Sequence, residues 1–196
     1  MKKIIKTIII IIFTVFTVSS RSNFSAVLEK YTNSPIEIDF EQKTYWNVRE
    51  KETKVKGKII LGLDNKFNIS IGKMNYICNG NTFWEYNNRQ KQVNVQKVLP
   101  ELSNAIPSQL LNLLKNANVI ENKTTNSVVW QDKESLKNGY EKVEVFLANS
   151  QISKIIINDI DKNITTYIFE KTVFLGEISD DLFNFVIPEG AQVYEN

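Results

Sequence analysis

The chain has 196 residues, 24 lysines and arginines against 22 aspartates and glutamates, a single cysteine, Cys78, and no histidine. Without histidine, Ser-His and Cys-His nucleophile systems and the common zinc sites are excluded, and one cysteine excludes an internal disulfide. Three of the lysines, Lys2, Lys3 and Lys6, stand before an unbroken apolar or hydroxyl run over residues 7–18. That is the layout of a secretion signal, with Ser19-Ser20 placing the cut after Ser20. Read as an uncleaved anchor, residues 4–18 span only about 22 Å, short of a ~30 Å hydrocarbon core. Residues 1–20 are therefore expected to be a signal peptide and 21–196 a single domain, large enough for a sizeable core. Removal of the signal changes the balance to 24 − 3 = 21 basic against 22 acidic side chains. The near-neutral remainder has no basic patch for nucleic acid, and none is expected as a partner. No cysteine lies near the cut to carry a lipid anchor, so the protein is expected to be free in its compartment.

After the signal, Phe24, Val27, Leu28 and Tyr31 repeat at i, i+3, i+4, i+7 and predict an amphipathic helix. Strands follow. Residues 37–47 alternate around Ile38 and Phe40; Val55, Gly57, Ile59, Leu61 and Leu63 keep period two, and Phe67, Ile69 and Ile71 continue it. The lysine-rich residues 51–58, interleaved with Glu52 and Val55, read as a solvated strand and turn. Cys78 is expected to be a half-buried small apolar residue before the Asn79-Gly80-Asn81 turn, the strongest hairpin signal in the chain. Residues 82–86 and 92–95 form a second hairpin about a polar loop. Pro107-Ser108-Gln109 then opens a leucine-rich helix, with proline where a first turn tolerates it. Strands resume at 128–131, 140–148, 152–159 and 164–171, with residues 133–139 read as a connection. This predicts a mainly β chain: an antiparallel sheet curled toward a barrel, interrupted by two helices. The leucine helix either forms a lid or plug over the concave side, or simply completes the core.

The order of motifs resembles the periplasmic outer-membrane lipoprotein carrier family, the LolA-like proteins. The matching elements are Phe40-Glu41-Gln42-Lys43, the stretch from Asn79-Gly80-Asn81-Thr82 through Trp84 to Tyr86-Asn87, Gln92-Val93, Pro107-Ser108-Gln109-Leu110-Leu111 and Asp159-Ile160-Asp161-Lys162-Asn163. Residues 181–191 are similar to the family's closing strand, Phe-x-Phe-x-x-Pro-x-Gly. The resemblance implies an unclosed antiparallel β-barrel of about eleven strands over a hydrophobic cavity, closed by helices. It also implies a periplasmic monomer that collects acylated lipoproteins from an inner-membrane lipoprotein-releasing transporter and passes them to an outer-membrane acceptor. No cofactor, metal or catalytic role is expected. Strand alternation and the lid leucines together give an expected cavity lining of Phe40, Phe67, Ile69, Trp84, Tyr86, Leu111, Leu114, Phe146, Phe169 and Phe185, and a lid helix carrying Leu110, Leu111, Leu113 and Leu114. In one respect the chain departs from the family. An Arg-Pro pair whose arginine holds the empty form closed is replaced by Leu63-Asp64-Asn65-Lys66, so the latch is absent or supplied by another residue such as Lys66.

The acidic pairs Asp180-Asp181 and Asp159 with Asp161 sit at polar turns, where capping and solvation account for them. A carrier of another lipid or glycolipid, a lipid-binding envelope-stress sensor on the same fold, and a purely structural envelope protein are the alternative readings. The sensor is expected to need a second domain.

Overall fold

The structure is a computed structural model that describes residues 23–97 and 107–195; the expected signal peptide lies outside the described residues. Among the described residues no helix is long and apolar enough to cross a membrane. Twelve strands make one sheet: β1 Ile36–Trp46, β2 Lys51–Leu61, β3 Lys66–Ile71, β4 Met74–Asn79, β5 Thr82–Asn87, β6 Gln92–Lys97, β7 Ile120–Asn122, β8 Ser127–Trp130, β9 Tyr140–Ala148, β10 Gln151–Asp159, β11 Ile164–Phe174 and β12 Gln192–Glu195. Their order across the sheet is β12-β6-β5-β4-β3-β2-β1-β11-β10-β9-β8-β7, so the sheet is unclosed. Eleven strands pair antiparallel, and β12 alone runs parallel to its neighbour β6. The first and eleventh strands meet in the middle, and this pairing joins the two meanders.

The register explains which residues face inward. Ile36, Leu61, Phe67, Cys78 and Phe83 stand in one cross-strand row; Ile38, Ile59, Ile69, Tyr76 and Glu85 stand in the next. Apolar members of these rows join Val128, Trp130, Val143 and Val145 from the other meander in one core. Opposite parity puts Glu37, Lys56, Lys58 and Glu170 on the outer face, where Lys58 pairs with Glu37 at 2.9 Å and Lys56 with Glu170 at 2.8 Å. Such exposed pairs contribute little to stability and mainly keep that face solvated.

Two helices fill the concave side. In α1 (Asn23–Asn33) all four residues of the predicted stripe, Phe24, Val27, Leu28 and Tyr31, are buried. In α2 (Pro107–Asn116) Leu110, Leu111 and Leu114 are buried in the same core. Tyr31 ties α1 to the sheet: its hydroxyl accepts a 3.1 Å bond from the Ile152 N–H, and its ring meets Phe174 edge-on at 5.2 Å. Tyr31→Phe leaves that buried N–H without its acceptor, a loss of about 1–3 kcal/mol. Equilibrium urea unfolding is expected to show the drop, with the slope of the transition unchanged.

Four expectations are corrected. Residues 133–139, read as a connection, contain a third helix, α3 (Lys133–Lys137), held by a capping box between Asp132 and Ser135. Five residues are too few for periodicity to register, but the Asp132 N-cap was readable. Residues 51–58 are strand throughout, and the turn lies before them at Asn47–Arg49, with Glu50 in the left-handed region. Cys78 is fully buried, and burial pushes its thiol up, away from the reactive thiolate. The expected closing strand at 181–191 is a 3-10 turn, Asp180–Phe183, followed by non-strand chain, and the last strand comes afterwards as β12. Pro188 has no N–H for a ladder and accepts from Ala191 N–H in a turn instead, with Gly190 at φ 76°.

That C-terminal segment has its own packing surface. From β4 to β6 the sheet also buries apolar side chains on its outer face, namely Ile77, Tyr86 and Val93. Phe185 packs there against two rings, 5.4 Å from Tyr86 and 6.4 Å from Trp84 between ring centres. Phe183 is buried beside Gly62, where a Cβ would sit 2.7 Å from its ring.

Candidate functional site

A cavity of about 470 Å³ lies on the inner face of β1 to β5 and β11. Its apolar wall is made by Phe40, Ile59, Phe67, Ile69, Ile71 and Phe83, and its polar positions are Gln42, Tyr76, Glu85 and Tyr167. Aromatic rings organise it. Phe83 stacks parallel to Tyr76 at 6.4 Å and tilts against Phe67 at 6.0 Å, and Phe40 tilts against Tyr167 at 5.7 Å. The Phe40 ring can lie over β2 because Gly57 is its cross-strand partner; a Cβ there would stand 2.5 Å from Phe40 Cζ. Gln42 donates to Thr44 at 3.0 Å, which orients its amide at the cavity end.

The electrostatics follow from this lining. Tyr167 is pushed up to about 12 from 10.0, chiefly by burial and then by Tyr140 and Tyr76. Tyr76 is raised by burial and, after that, by the charge of Glu85. For a phenol raised in the folded state, stability is intact below the unfolded value and falls as pH climbs from about 10 to about 12, because the unfolded chain ionises first. Spectrophotometric titration should therefore find a late-ionising phenol that Tyr167→Phe removes. If the variant titrates like the parent, this placement is wrong.

The expected lining divides by face. Phe40, Phe67 and Ile69 line the cavity. Phe169 pairs with Phe40 across β1 and β11 and packs against the core without entering the lining. Trp84, Tyr86 and Phe185 lie on the outer face in the second cluster, one residue out of phase with the inward Phe83 and Glu85. Phe146 also faces out, with Lys154 Nζ 3.9 Å from its ring centre, while its neighbours Val145 and Leu147 are buried. The helix leucines are near the cavity but not in it. Leu111 lines a small recess with Tyr31, Leu61 and residues 62–65; Leu114 lines another with Phe24 and Leu28; Leu110 is buried and Leu113 half-buried on the same core. Among the described residues the ion pair that Lys66 makes is with the C-terminal segment. Its ammonium pairs with Asp180 at 2.7 Å on the outer face, so it holds the C-terminal segment rather than a lid.

Seven lining residues were missed, namely Gln42, Ile59, Ile71, Tyr76, Phe83, Glu85 and Tyr167. A usable signal existed for Phe83. The two-residue turn Gly80-Asn81, fixed by Asn81 and Thr82 N–H donating to Asn79 Oδ1, pairs Cys78 with Phe83 and so puts Phe83 in the row of Phe67.

The chain is 27% identical over 211 aligned positions to the outer-membrane lipoprotein carrier protein of Wigglesworthia glossinidia brevipalpis, covering 98% of this chain and 96% of that protein. Its fold is similar to the crystal structure of an uncharacterized conserved protein from Thermus thermophilus, at TM-score 0.52 and 10% identity over 87% of this chain and 96% of that one. A LolA superfamily protein from Nitrosomonas europaea matches at TM-score 0.48 and 10% identity, over 82% and 96% of the two chains. The family profile described as outer membrane lipoprotein carrier protein LolA matches residues 32–186, from the end of α1 past the 3-10 turn at Asp180–Phe183. On that match, which takes in both meanders of the sheet, the chain belongs to the LolA family of outer membrane lipoprotein carrier proteins.

Proposed function

We propose that the protein is exported to the periplasm, where it takes the acyl chains of lipoproteins released by an inner-membrane transporter and delivers them to an outer-membrane acceptor. The observation that carries this reading is the apolar, open cavity walled by Phe40, Ile59, Phe67, Ile69, Ile71 and Phe83. Its size falls in the range of sites that enclose small ligands. An acyl chain is held in a bilayer by roughly 0.8 kcal/mol per CH₂, so an acylated protein does not cross water unaided. A wall of this composition offers comparable burial and lowers that barrier. Membership of the family supports the same reading. The role of α2 is to cover the apolar interior beside the cavity: Leu111 shares its recess with Leu61, and Leu61 pairs with the cavity residue Phe67.

The test is a release assay. Inner membranes bearing a labelled lipoprotein and its releasing transporter are incubated with the purified protein and ATP. Labelled lipoprotein is expected in the soluble fraction in complex with this protein. If it stays on the membrane while free lipid is extracted, the protein carries another lipid; if nothing is extracted, the carrier reading fails.

A further inference from the structure

The inner face of the sheet changes character along one row. From β3 outward, Ile69 pairs with Tyr76, Tyr76 with Glu85 and Glu85 with Asn94. Adjacent strands stand about 4.8 Å apart, so the wall passes from hydrocarbon to carboxylate in roughly 10 Å. The next strand keeps the polar side inward: on β6 Val93 is buried outward, and Gln92, Asn94 and Gln96 occupy the inner parity. Among the described residues Glu85 is the one charged residue in the cavity lining, and no lysine or arginine lines it. Among the described residues its carboxylate receives a single long bond, from Asn94 Nδ2 at 3.5 Å, and no ion pair. A carboxylate offers about four acceptor positions, which leaves Glu85 well short of saturation. Lysines elsewhere on the sheet meet outer-face carboxylates such as Glu37 and Glu170.

We infer that the cavity is adapted to an amphiphile with an ammonium head, its hydrocarbon laid along Phe40, Ile59, Phe67 and Ile69 and its head set against Glu85 with Asn94. The inference rests on the lipid-carrier reading of the same cavity and names the kind of polar end it accepts. A charge beside an apolar, partly desolvated wall acts strongly on its neighbours, so it attracts a cationic head and repels a carboxylate or phosphate. Tyr76 stands between the two regions, stacked on Phe83 and close enough to Glu85 to feel its charge.

The experiment is displacement of a neutral, hydrocarbon-tailed fluorescent probe by dodecylamine, dodecanol and dodecanoate, each below its micellar range at neutral pH. Dodecylamine is expected to displace the probe at about tenfold lower concentration than dodecanoate, a difference of about 1.4 kcal/mol. The near-isosteric Glu85→Gln should bring the two within a few fold, and Glu85→Lys should reverse their order, with thermal unfolding showing that both variants are folded. Equal displacement by all three amphiphiles, or a preference that survives Glu85→Gln, overturns the inference and leaves the carrier reading standing. Failure of all three to displace a probe that binds, or failure of the probe to bind, overturns the carrier reading and this inference with it.

Discussion

Leu111→Glu is expected to abolish acyl-chain binding while the twelve-stranded sheet stays folded. Leu111 is 5% exposed and sits between Tyr31, Leu61 and the turn at residues 62–65. The substitution loses the roughly 1.5–3 kcal/mol that burying a leucine contributes and puts an unpaired carboxylate in its place, which costs several kcal/mol more. The cheaper outcome is for α2 to leave its site. Leu110 and Leu114 go with it, and the apolar row through Leu61 and Phe67 opens to water. The sheet survives because its ladder, from β1 with β2 through β1 with β11, does not pass through α2. Circular dichroism should retain the β signal while binding of an acyl probe falls by about a hundredfold or more, the equivalent of a ~3 kcal/mol loss. Leu111→Ala gives a graded control, since it shortens the side chain without adding charge. Undiminished binding by the glutamate variant would separate α2 from the cavity altogether.

Phe40→Ala is expected to cause a large loss of stability across the whole domain. The ring is 1% exposed, lies over Gly57 and meets Tyr167, so it belongs both to the core and to the cavity wall. Truncating such a phenylalanine costs about 3–5 kcal/mol, a large share of a domain's total stability. Gly57→Ala approaches the same pair from the other side. Its new methyl stands 2.5 Å from Phe40 Cζ and 2.7 Å from the Ser70 carbonyl, an overpacking that costs about 1–3 kcal/mol. Because Phe40 is one of the two clashing partners, the double variant should be less destabilised than the sum of the singles. Urea unfolding of the four proteins measures the coupling, and strict additivity would contradict the described contact.

The sequence carried the fold further than the site, for a physical reason. The period-two run over 55–61 and the stripe of Phe24, Val27, Leu28 and Tyr31 lie in a strand and a helix, whereas Leu63, the expected end of that run, falls past β2 and is exposed. Facing in or out is a matter of parity, and one residue reverses it. On β5 the large apolar residues, Phe83, Trp84 and Tyr86, occupy both faces, so size and hydropathy gave no answer. Trp84 and Tyr86 are apolar because a second cluster covers them from outside, formed with Phe185, which lies about a hundred residues later in the chain. Counting pairs from Gly72-Lys73 and Gly80-Asn81 carries the register from Phe67 through Cys78 to Phe83 and would have placed β5 correctly. The parallel pairing of β12 with β6 had no local signal, since it depends on where the segment after Phe185 returns. Nor did Lys66: its partner Asp180 comes from the same C-terminal segment.

The central claim, that cargo acyl chains lie on the inner face of β1 to β5, is tested most directly by site-specific photocrosslinking. A benzophenone amino acid is placed at Ile71, in the cavity lining, or at Trp84, on the outer face of a neighbouring part of the sheet, and the protein is irradiated with an acylated lipoprotein carrying a labelled chain. Crosslinking to the acyl chain is expected from position 71 and not from position 84. Acyl crosslinks from 84, or none from 71 in a protein that still solubilises the lipoprotein, would contradict the account and place the lipid elsewhere.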